Sequence, residues 1–505
     1  KSAPYSQSAI TGGEAQISGP GAAGFAVDEA TNLVTILKFG SLPFPIAEIG
    51  VTDVKATLGA SFLGQALFAG AVGILLVFLF MLLHYRVAGA VANVALIFYV
   101  IIVLAIFRLV PVTLTLAGIA GFVLSIGMAV DANVLIYERL REELQAGKSL
   151  TAALTGAYDK AFSAIFDANI TTLITALILF WQATGSVKGF AVTLIVGIIA
   201  SMFSALLFTR TAFRWLVDKF GLTKVSMLNL VPSKKFDFLG KRHLAAGLSI
   251  LLIIGSVAVF AIRGEKNLGI DFRGGDLVIL DSAQPLTIAE ARSAIKDPGV
   301  VIQYEREGTR ELLTLRGPQG SSPALVQELQ TAYPDKGISV IGQDTVGPQI
   351  GKEFAKSAML ALGLGMLGIL FYVTLRFEFS FAIGAVVALI HDVVITLGIF
   401  SLIGGELSLV MVGAILTIAG YSINDTIVVF DRIREGLKHG ERGSIQSLMN
   451  ASINETLSRT ILTGGTTLLS VGALYFFGGA VLRDFSFAIL MGIAIGTYSS
   501  IFVAA

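Results

Sequence analysis

Long apolar runs separated by short clusters of charge dominate this chain, and the runs have the length of membrane-spanning helices. Eleven stand out, at 61–84, 87–108, 112–136, 161–183, 187–209, 244–263, 354–375, 379–402, 406–430, 457–477 and 483–505. A helix needs roughly 20 apolar residues to cross the hydrocarbon core of a bilayer. Between 264 and 350 the pattern becomes that of a small soluble domain. Residues 276–281 (DLVILD) predict a strand and 286–295 a helix. Strands near 299–305 and 310–316, a helix near 323–333 and a strand near 337–343 follow. That order, β-α-β-β-α-β, is ferredoxin-like. A helix-like stretch at 28–39 and a strand-like one at 44–56 resemble the tail of a second such module. The expected fold is an all-α polytopic membrane bundle carrying a small α+β ferredoxin-like domain.

Composition strengthens the membrane reading. Hydrophobic residues make up 54% of the 505 and charged residues only 14%, against roughly 25% charged in soluble domains. The net charge of +1 offers no argument for nucleic acid as a partner. The chain has no cysteine, which removes disulfides, thiol nucleophiles and thiolate metal sites together. The four histidines are scattered without metal-ligand spacing, so no metal is expected. Arg139, Arg141, Lys148 and Lys160 share one inter-helix loop. Arg210, Arg214, Lys219, Lys224, Lys234, Lys235, Lys241 and Arg242 crowd the central connection, and Arg432, Arg434, Lys438 and Arg442 a third loop. The spans put all three on one face, which the positive-inside rule makes cytoplasmic. Residues 1–60 and 264–350 then lie on the extracytoplasmic side.

The two halves repeat. GMAVDANVLIYERLREEL (127–144) aligns with GYSINDTIVVFDRIREGL (420–437) at an offset of roughly 293. Thr171-Thr172 matches Thr466-Thr467, Ala95-Leu96-Ile97 matches Ala388-Leu389-Ile390, and Arg86 matches Arg376. Both copies run in the same direction with the same loop signs, so they are parallel repeats related by an axis along the membrane normal. The second half starts with a span ahead of its soluble domain. By symmetry the intact protein is expected to have twelve spans, with one more helix and most of a soluble domain before Lys1.

A charge at the centre of a membrane helix costs about 2.5–3.5 kcal/mol on insertion scales, so each one marks a functional candidate. Five qualify: Asp131, Asp167, Asp392, Asp425 and Arg459. Asp131 and Asp425 are one register position apart in the repeat, Asp131 aligning with Asn424. A carboxylate that alternates between an arginine and a proton is a workable coupling switch, because arginine cannot release its own proton. Each residue also has a plainer reading. Asp131 and Asp425 precede amphipathic extensions and would suit the interface. Arg459 follows Glu455 by four residues, the spacing of an ordinary helix salt bridge. Asp167, near the start of its predicted span, suits a cap or loop. Asp392, beside His391, suits a helix–helix hydrogen bond. Ala-Gly-Lys-Ser at 146–149 lacks both the first glycine of a phosphate loop, where Glu142 stands, and the preceding strand, so ATP binding is rejected. No nucleophile–base pairing emerges, and no enzyme activity is expected.

Longer motifs resemble a known family. Gly269-Ile270-Asp271-Phe272-Arg273-Gly274-Gly275, directly after a span, is similar to the SecF signature. Val346-Gly347-Pro348, His391-Asp392, GYSINDTIVVFDRIRE (420–435) and Ser458-Arg459-Thr460 continue that pattern. GMAVDANVLIYERLREE (127–143) and FDANITT (166–172) resemble SecD, and the order resembles the fused SecDF proteins. The first helix of SecD, its glycine-rich motif and the bulk of its large periplasmic domain are not found. The resemblance implies two pseudo-symmetric halves of the resistance–nodulation–division (RND) type in the bacterial inner membrane. It also implies that the protein uses the proton-motive force to complete export of unfolded preproteins. Asp131, Asp425 and Arg459 match the family's intramembrane acidic and basic residues. Asp167, Asp392, Asn424, Thr466 and Thr467 are this chain's own candidates for relay or support. No cofactor is implied beyond the ion gradient, with sodium as the alternative ion. The implied partners are the SecYEG translocon, SecA, the unfolded preprotein, YajC/YidC-type membrane proteins and membrane lipid.

The expected organisation is a remnant of the first periplasmic domain (1–60) and a SecD-like transmembrane half (61–219). A cytoplasmic linker (220–243) and the first helix of the SecF-like half (244–263) follow. The second periplasmic domain (264–350) and the remaining SecF-like spans (351–505) complete it. The competing functions are a proton-coupled exporter of small molecules or lipids, and a passive assembly factor for the translocon.

Overall fold

The computed structural model describes residues 25, 27, 30, 31, 33, 34, 50–54, 56–110, 113–228, 236–307, 310–438 and 444–504. Within the first 49 residues, Val27, Ala30, Thr31, Leu33 and Val34 are helical, and the Thr31 hydroxyl donates to the Val27 carbonyl at 2.8 Å. Of the strand read at 44–56, residues 44–49 and 55 lie outside the described residues.

From Gly50 onward the chain runs through strand β1 (Gly50–Val54) into helices α1 (Ala56–Tyr85), α2 (Val87–Leu109), α3 (Leu116–Gln145), α4 (Leu150–Gln182) and α5 (Gly185–Phe203). A π-helical turn at Ser204–Phe208 carries α5 into α6 (Thr209–Phe220). Helix α7 (Arg242–Arg263) opens the second half. After the short α8 (Ile270–Arg273) come β2 (Gly275–Asp281), α9 (Ile288–Ala294), β3 (Val301–Glu307), β4 (Arg310–Gly317), α10 (Ser322–Ala332) and β5 (Ser339–Val346). Helices α11 (Pro348–Arg376), α12 (Phe379–Leu402), α13 (Leu409–Lys438), α14 (Ile445–Phe477) and α15 (Ala480–Phe502) complete the chain. Eleven helical stretches among the described residues are long and apolar enough to span a membrane.

Two helices begin well before the apolar runs that announce them. The runs predict spans from 161 and 457, whereas α4 starts at Leu150 and α14 at Ile445. Leu150, Ala153, Leu154, Ala157 and Tyr158 are buried at helical spacing, so the extra turns are amphipathic and escape an apolar window. Ser149 and Ser444 cap the two helices, each side chain accepting from a backbone N–H of the first turn. Asp167 and Arg459 therefore sit mid-helix.

Helices α3 and α13, the aligned repeat segments, form the centre, and nearly every residue of their membrane portions is buried. Helix α3 packs on α14 and α13 on α4, so each half inserts its central helix against the other. Glycine makes these crossings close. A Cβ on Gly127 would stand 3.1 Å from the Ser470 Cβ, and one on its repeat mate Gly420 would stand 2.8 Å from the Thr175 Oγ1.

The soluble segment follows the expected β-α-β-β-α-β order, its strands lying as β5-β2-β4-β3 with antiparallel neighbours. Val278, Leu280, Leu313 and Leu315 pack under Ala291, Leu325 and Leu329 of the two helices. Strand β1 adds a fifth strand by pairing antiparallel with β5, Thr52 facing Asp344. The strand read as part of a separate module thus completes the sheet of the other half. A backbone hydrogen bond carries no sequence signature, so this pairing had no signal in the chain.

The sheet is fastened to the start of α13. Gly269 donates its N–H to the Leu407 carbonyl at 2.8 Å, and Leu407 donates to Asn267 at 2.7 Å. The Asp271 carboxylate accepts from the Leu409 N–H at 2.8 Å, satisfying one of the orphan donors of that helix. Arg316 of β4 pairs with Glu406 at 3.1 Å. Burial pushes the Asp271 and Glu406 carboxyls up, against the opposing pull of the Leu409 N–H and of Arg316 respectively. Gly274 sits at φ +77°, where a Cβ would strike Pro348 at 2.7 Å, which explains a glycine in that motif.

Candidate functional site

Asp131 of α3, Asn424 and Asp425 of α13 and Arg459 of α14 converge where the halves meet. All three charged residues are buried, at 8%, 4% and 4% exposure. The Asn424 amide donates to Asp131 Oδ2. Asn424 is the repeat mate of Asp131, so the pseudo-symmetry axis passes between these two side chains. Arg459 Nη2 stands 3.6 Å from Asp131 Oδ1. Asp425 has Arg459 and Asp131 as its charged neighbours. Arg459 has no counterpart in the first half, where Ala164 occupies its place by the threonine alignment. One guanidinium thus serves a site with two carboxylates.

Threonines line the α14 side. Thr463 donates to the Arg459 carbonyl at 3.0 Å, and Thr466 and Thr467 donate to the Thr463 carbonyl at 2.9 and 3.1 Å. Thr467 also shares a 3.1 Å hydrogen bond with the Tyr421 hydroxyl. A cavity of about 20 Å³ opens among Asp131, Tyr421, Asn424 and Arg459, room for about one water. Arg459 Nε and Nη1, Asp131 Oδ1 and Asn424 Oδ1 are buried without a hydrogen-bond partner from the protein. Unpaired buried polar atoms cost about 1–3 kcal/mol each, so the site favours water.

Asp131 and Asp425 are buried within the protein. Glu455 does not pair with Arg459; it bonds Arg432, which also holds Glu435 at 2.7 Å. An arginine on a neighbouring helix outcompetes the i,i+4 partner because it approaches the Glu455 carboxylate directly.

Asp167 and Asp392 stand in separate clusters. Asp167 is neither cap nor loop: Arg376 Nε lies 2.8 and 2.7 Å from its two oxygens, and the Tyr372 hydroxyl donates at 2.8 Å. Arg376 also bonds Ser163, closing a clasp between α4 and α11 across the halves. Asp392 accepts from Ser422 at 2.5 Å, Ser499 at 2.7 Å and the adjacent His391 Nδ1 at 2.9 Å. His391 Nε2 reaches Ser249 of α7 at 3.1 Å. Four helices meet at this fully satisfied network, a geometry suited to support. Asp392→Ala would strand up to three partners at about 1–3 kcal/mol each. It is expected to lower the unfolding temperature clearly; an unchanged unfolding temperature would remove the supporting role.

Tyr421, Thr463, Tyr372 and Arg376 were not singled out from the sequence. Arg376 carried a signal, its match to Arg86, but the halves use the two differently: Arg86 bonds Ser226.

The family described as Protein export membrane protein SecD/SecF, C-terminal, matches residues 41–219 and 326–505. This chain belongs to that family. The protein translocase subunit SecDF of Bacillus subtilis is 36% identical over 508 residues, covering 95% of this chain and 68% of the relative. The crystal structure of SecDF from Thermus thermophilus, described as a translocon-associated membrane protein, superposes with a TM-score of 0.86 at 38% identity. That match covers 99% of this chain and 69% of that one. A heavy metal efflux pump shares the fold at a TM-score of 0.59 and 11% identity, covering 94% of this chain and 71% of the pump. Together with the eleven candidate spans, these matches make the chain a multi-pass membrane protein of RND-type architecture with a small sheet domain.

Proposed function

We propose that this protein works in the bacterial cytoplasmic membrane with the Sec translocon, SecYEG, and the motor SecA, drawing on the proton-motive force to promote late-stage export of preproteins. Sodium is the alternative coupling ion. The soluble domain faces outward and the basic loops face the cytoplasm, in accord with the positive-inside rule. The relatives' names supply the export role. The observation that carries the energy coupling is the convergence of Asp131, Asp425 and Arg459, from three helices and both halves, in one buried site.

One guanidinium balances one carboxylate, so a second carboxylate in the same buried space is neutral only while it holds a proton. A proton entering the site frees Arg459 from one carboxylate and lets it turn to the other. A charge moving through 100 mV gains about 2.3 kcal/mol, of the order needed to remake one buried polar contact. The turn shifts α14 against α3 and α13, and α13 begins at the fastening to the sheet domain. The ties from Asp271, Leu407 and Glu406 then pass the shift to the outer domain, which acts on emerging polypeptide.

Export of a preprotein into inverted membrane vesicles tests this. The wild-type protein is expected to raise late-stage export several-fold, and a protonophore to abolish the gain. Asp131→Asn is expected to give the low, protonophore-insensitive level at normal abundance. Stimulation that survives both the protonophore and the substitution would overturn proton coupling and favour a passive assembly role.

A further inference from the structure

Helix α3 carries Asp131, Leu135, Glu138 and Glu142 at i, i+4, i+7 and i+11, all on one face. Two small cavities lie along that face. The central one, about 20 Å³, holds Asp131, Asn424 and Tyr421. The second, also about 20 Å³, is lined by Glu138, Glu142, Arg432 and Glu455 toward the basic-loop end of the helices. Leu135 and Arg459 line both. Leu135 is only 3% exposed and, with Arg459, forms the wall that the two chambers share.

Each chamber has room for about one water, and Arg459 Nε and Nη1, buried without protein partners, favour water beside them. Beyond the septum the first carboxylate is Glu138, buried and bonded by the Tyr85 hydroxyl at 3.1 Å and by Arg141 at 2.5 Å. Arg141 also donates to Ser458, the residue next to Arg459, at 3.3 Å. Any displacement of Arg459 along α14 is therefore felt at Glu138.

Resting on the coupling reading above, we propose that Leu135 is an apolar gate between the carboxylate centre and a proton exit at Glu138. Proton transfer along water needs an unbroken chain of hydrogen bonds, which an alkyl group interrupts, and apolar constrictions close pores by dewetting. The fixed positive charge of Arg459 reinforces the barrier, since a hydrated proton is repelled from the same septum. When Arg459 turns away, the chambers join through water. The carboxyl at the centre then gives up its proton, the Glu138 carboxylate takes it, and Glu138 releases it to bulk water, which leaves Glu138 unchanged and the central carboxyl ionised until the next proton enters. The gate keeps the centre from being open to both sides at once.

The test uses proton flux in proteoliposomes and the absence of cysteine from the chain. Leu135→Ala is expected to raise flux about 10-fold and to uncouple it from export, and Leu135→Phe to lower it about 10-fold. Leu135→Met, close in volume, is expected to leave it near wild type. A packing role would make the small and the large residue both harmful in the same direction. An Ala132→Cys reporter, placed in the central chamber, is expected to react with a membrane-impermeant thiol reagent from the basic-loop side at least 10-fold faster in the Leu135→Ala background. Flux that falls or stays unchanged in both Leu135 variants, with equal labelling in both backgrounds, overturns the gate alone if wild-type flux is lost in Asp131→Asn. A wild-type protein that carries no protons overturns the coupling reading itself, and the gate with it.

Discussion

Arg459→Met is expected to abolish proton-driven export, to below about 1% of wild type, and to lower the stability of the folded protein. The guanidinium lies 3.6 Å from Asp131 and is the charge of opposite sign acting on Asp425. Methionine keeps the apolar stem of the side chain but leaves two buried carboxyls without a counter-charge. Removing one partner of a buried pair costs about 3–5 kcal/mol, unless the carboxyls neutralise by holding their protons permanently. Either outcome ends the cycle, because nothing remains for a carboxylate to exchange with the proton. Arg459→Lys keeps the charge as a single point and loses the fork that spans two chambers. It is expected to retain under about 10% of export. Thermal unfolding beside the export assay separates the two losses: Arg459→Lys falls in export at near-normal stability, Arg459→Met in both. An Arg459→Met protein exporting within two-fold of wild type would remove Arg459 from the mechanism.

Gly420→Ala is expected to cost most of the activity through a single methyl group. That methyl would stand 2.8 Å from the Thr175 Oγ1, 3.2 Å from the Thr172 Cγ2 and 3.3 Å from the Thr172 Cα. Neither threonine yields easily. Thr172 donates to the Gly420 carbonyl at 2.9 Å and Thr175 to the Thr172 carbonyl at 2.8 Å, and β-branching stiffens both at χ1. The helices must spread instead, at about 1–3 kcal/mol for overpacking. Asn424 and Asp425 lie about one turn along α13 from this crossing, so spreading carries them away from Asp131. Export is expected to fall about 10-fold with helical content unchanged. Thr175→Ala, which removes the nearest atom, is expected to restore part of it. Gly127→Ala, at 3.1 Å from the Ser470 Cβ and 3.2 Å from the Thr467 Cα, is expected to be milder. The reverse order of severity would show that the two crossings are not related as the repeat implies.

Much of this site was legible in the sequence. Asp131, Asp425 and Arg459 were marked by the cost of burying charge, and the repeat placed Asp131 opposite Asn424, its partner in the structure. The apolar runs located the eleven candidate spans among the described residues, and the pattern over 276–343 carried the order of helices and strands in the soluble segment. Other features had no local signature. The first turns of α4 and α14 are amphipathic, so hydropathy placed Asp167 near a helix start when it lies mid-span. The partners of Asp167, Tyr372 and Arg376, are about two hundred residues away in sequence and face it only once the halves dock. Glu455 illustrates the limit of spacing rules: its i,i+4 arginine was visible, and the Arg432 that replaces it was not.

Proton movement into proteoliposomes, followed with an entrapped pH-sensitive dye under an imposed membrane potential, tests the energy coupling most directly. The wild-type protein is expected to acidify the interior at a rate that scales with the potential. Asp131→Asn and Asp425→Asn, each isosteric, are expected to reduce that rate at least 100-fold at normal abundance and stability. Equal rates in all three proteins, or rates equal to those of empty vesicles, would contradict a proton path through these carboxylates.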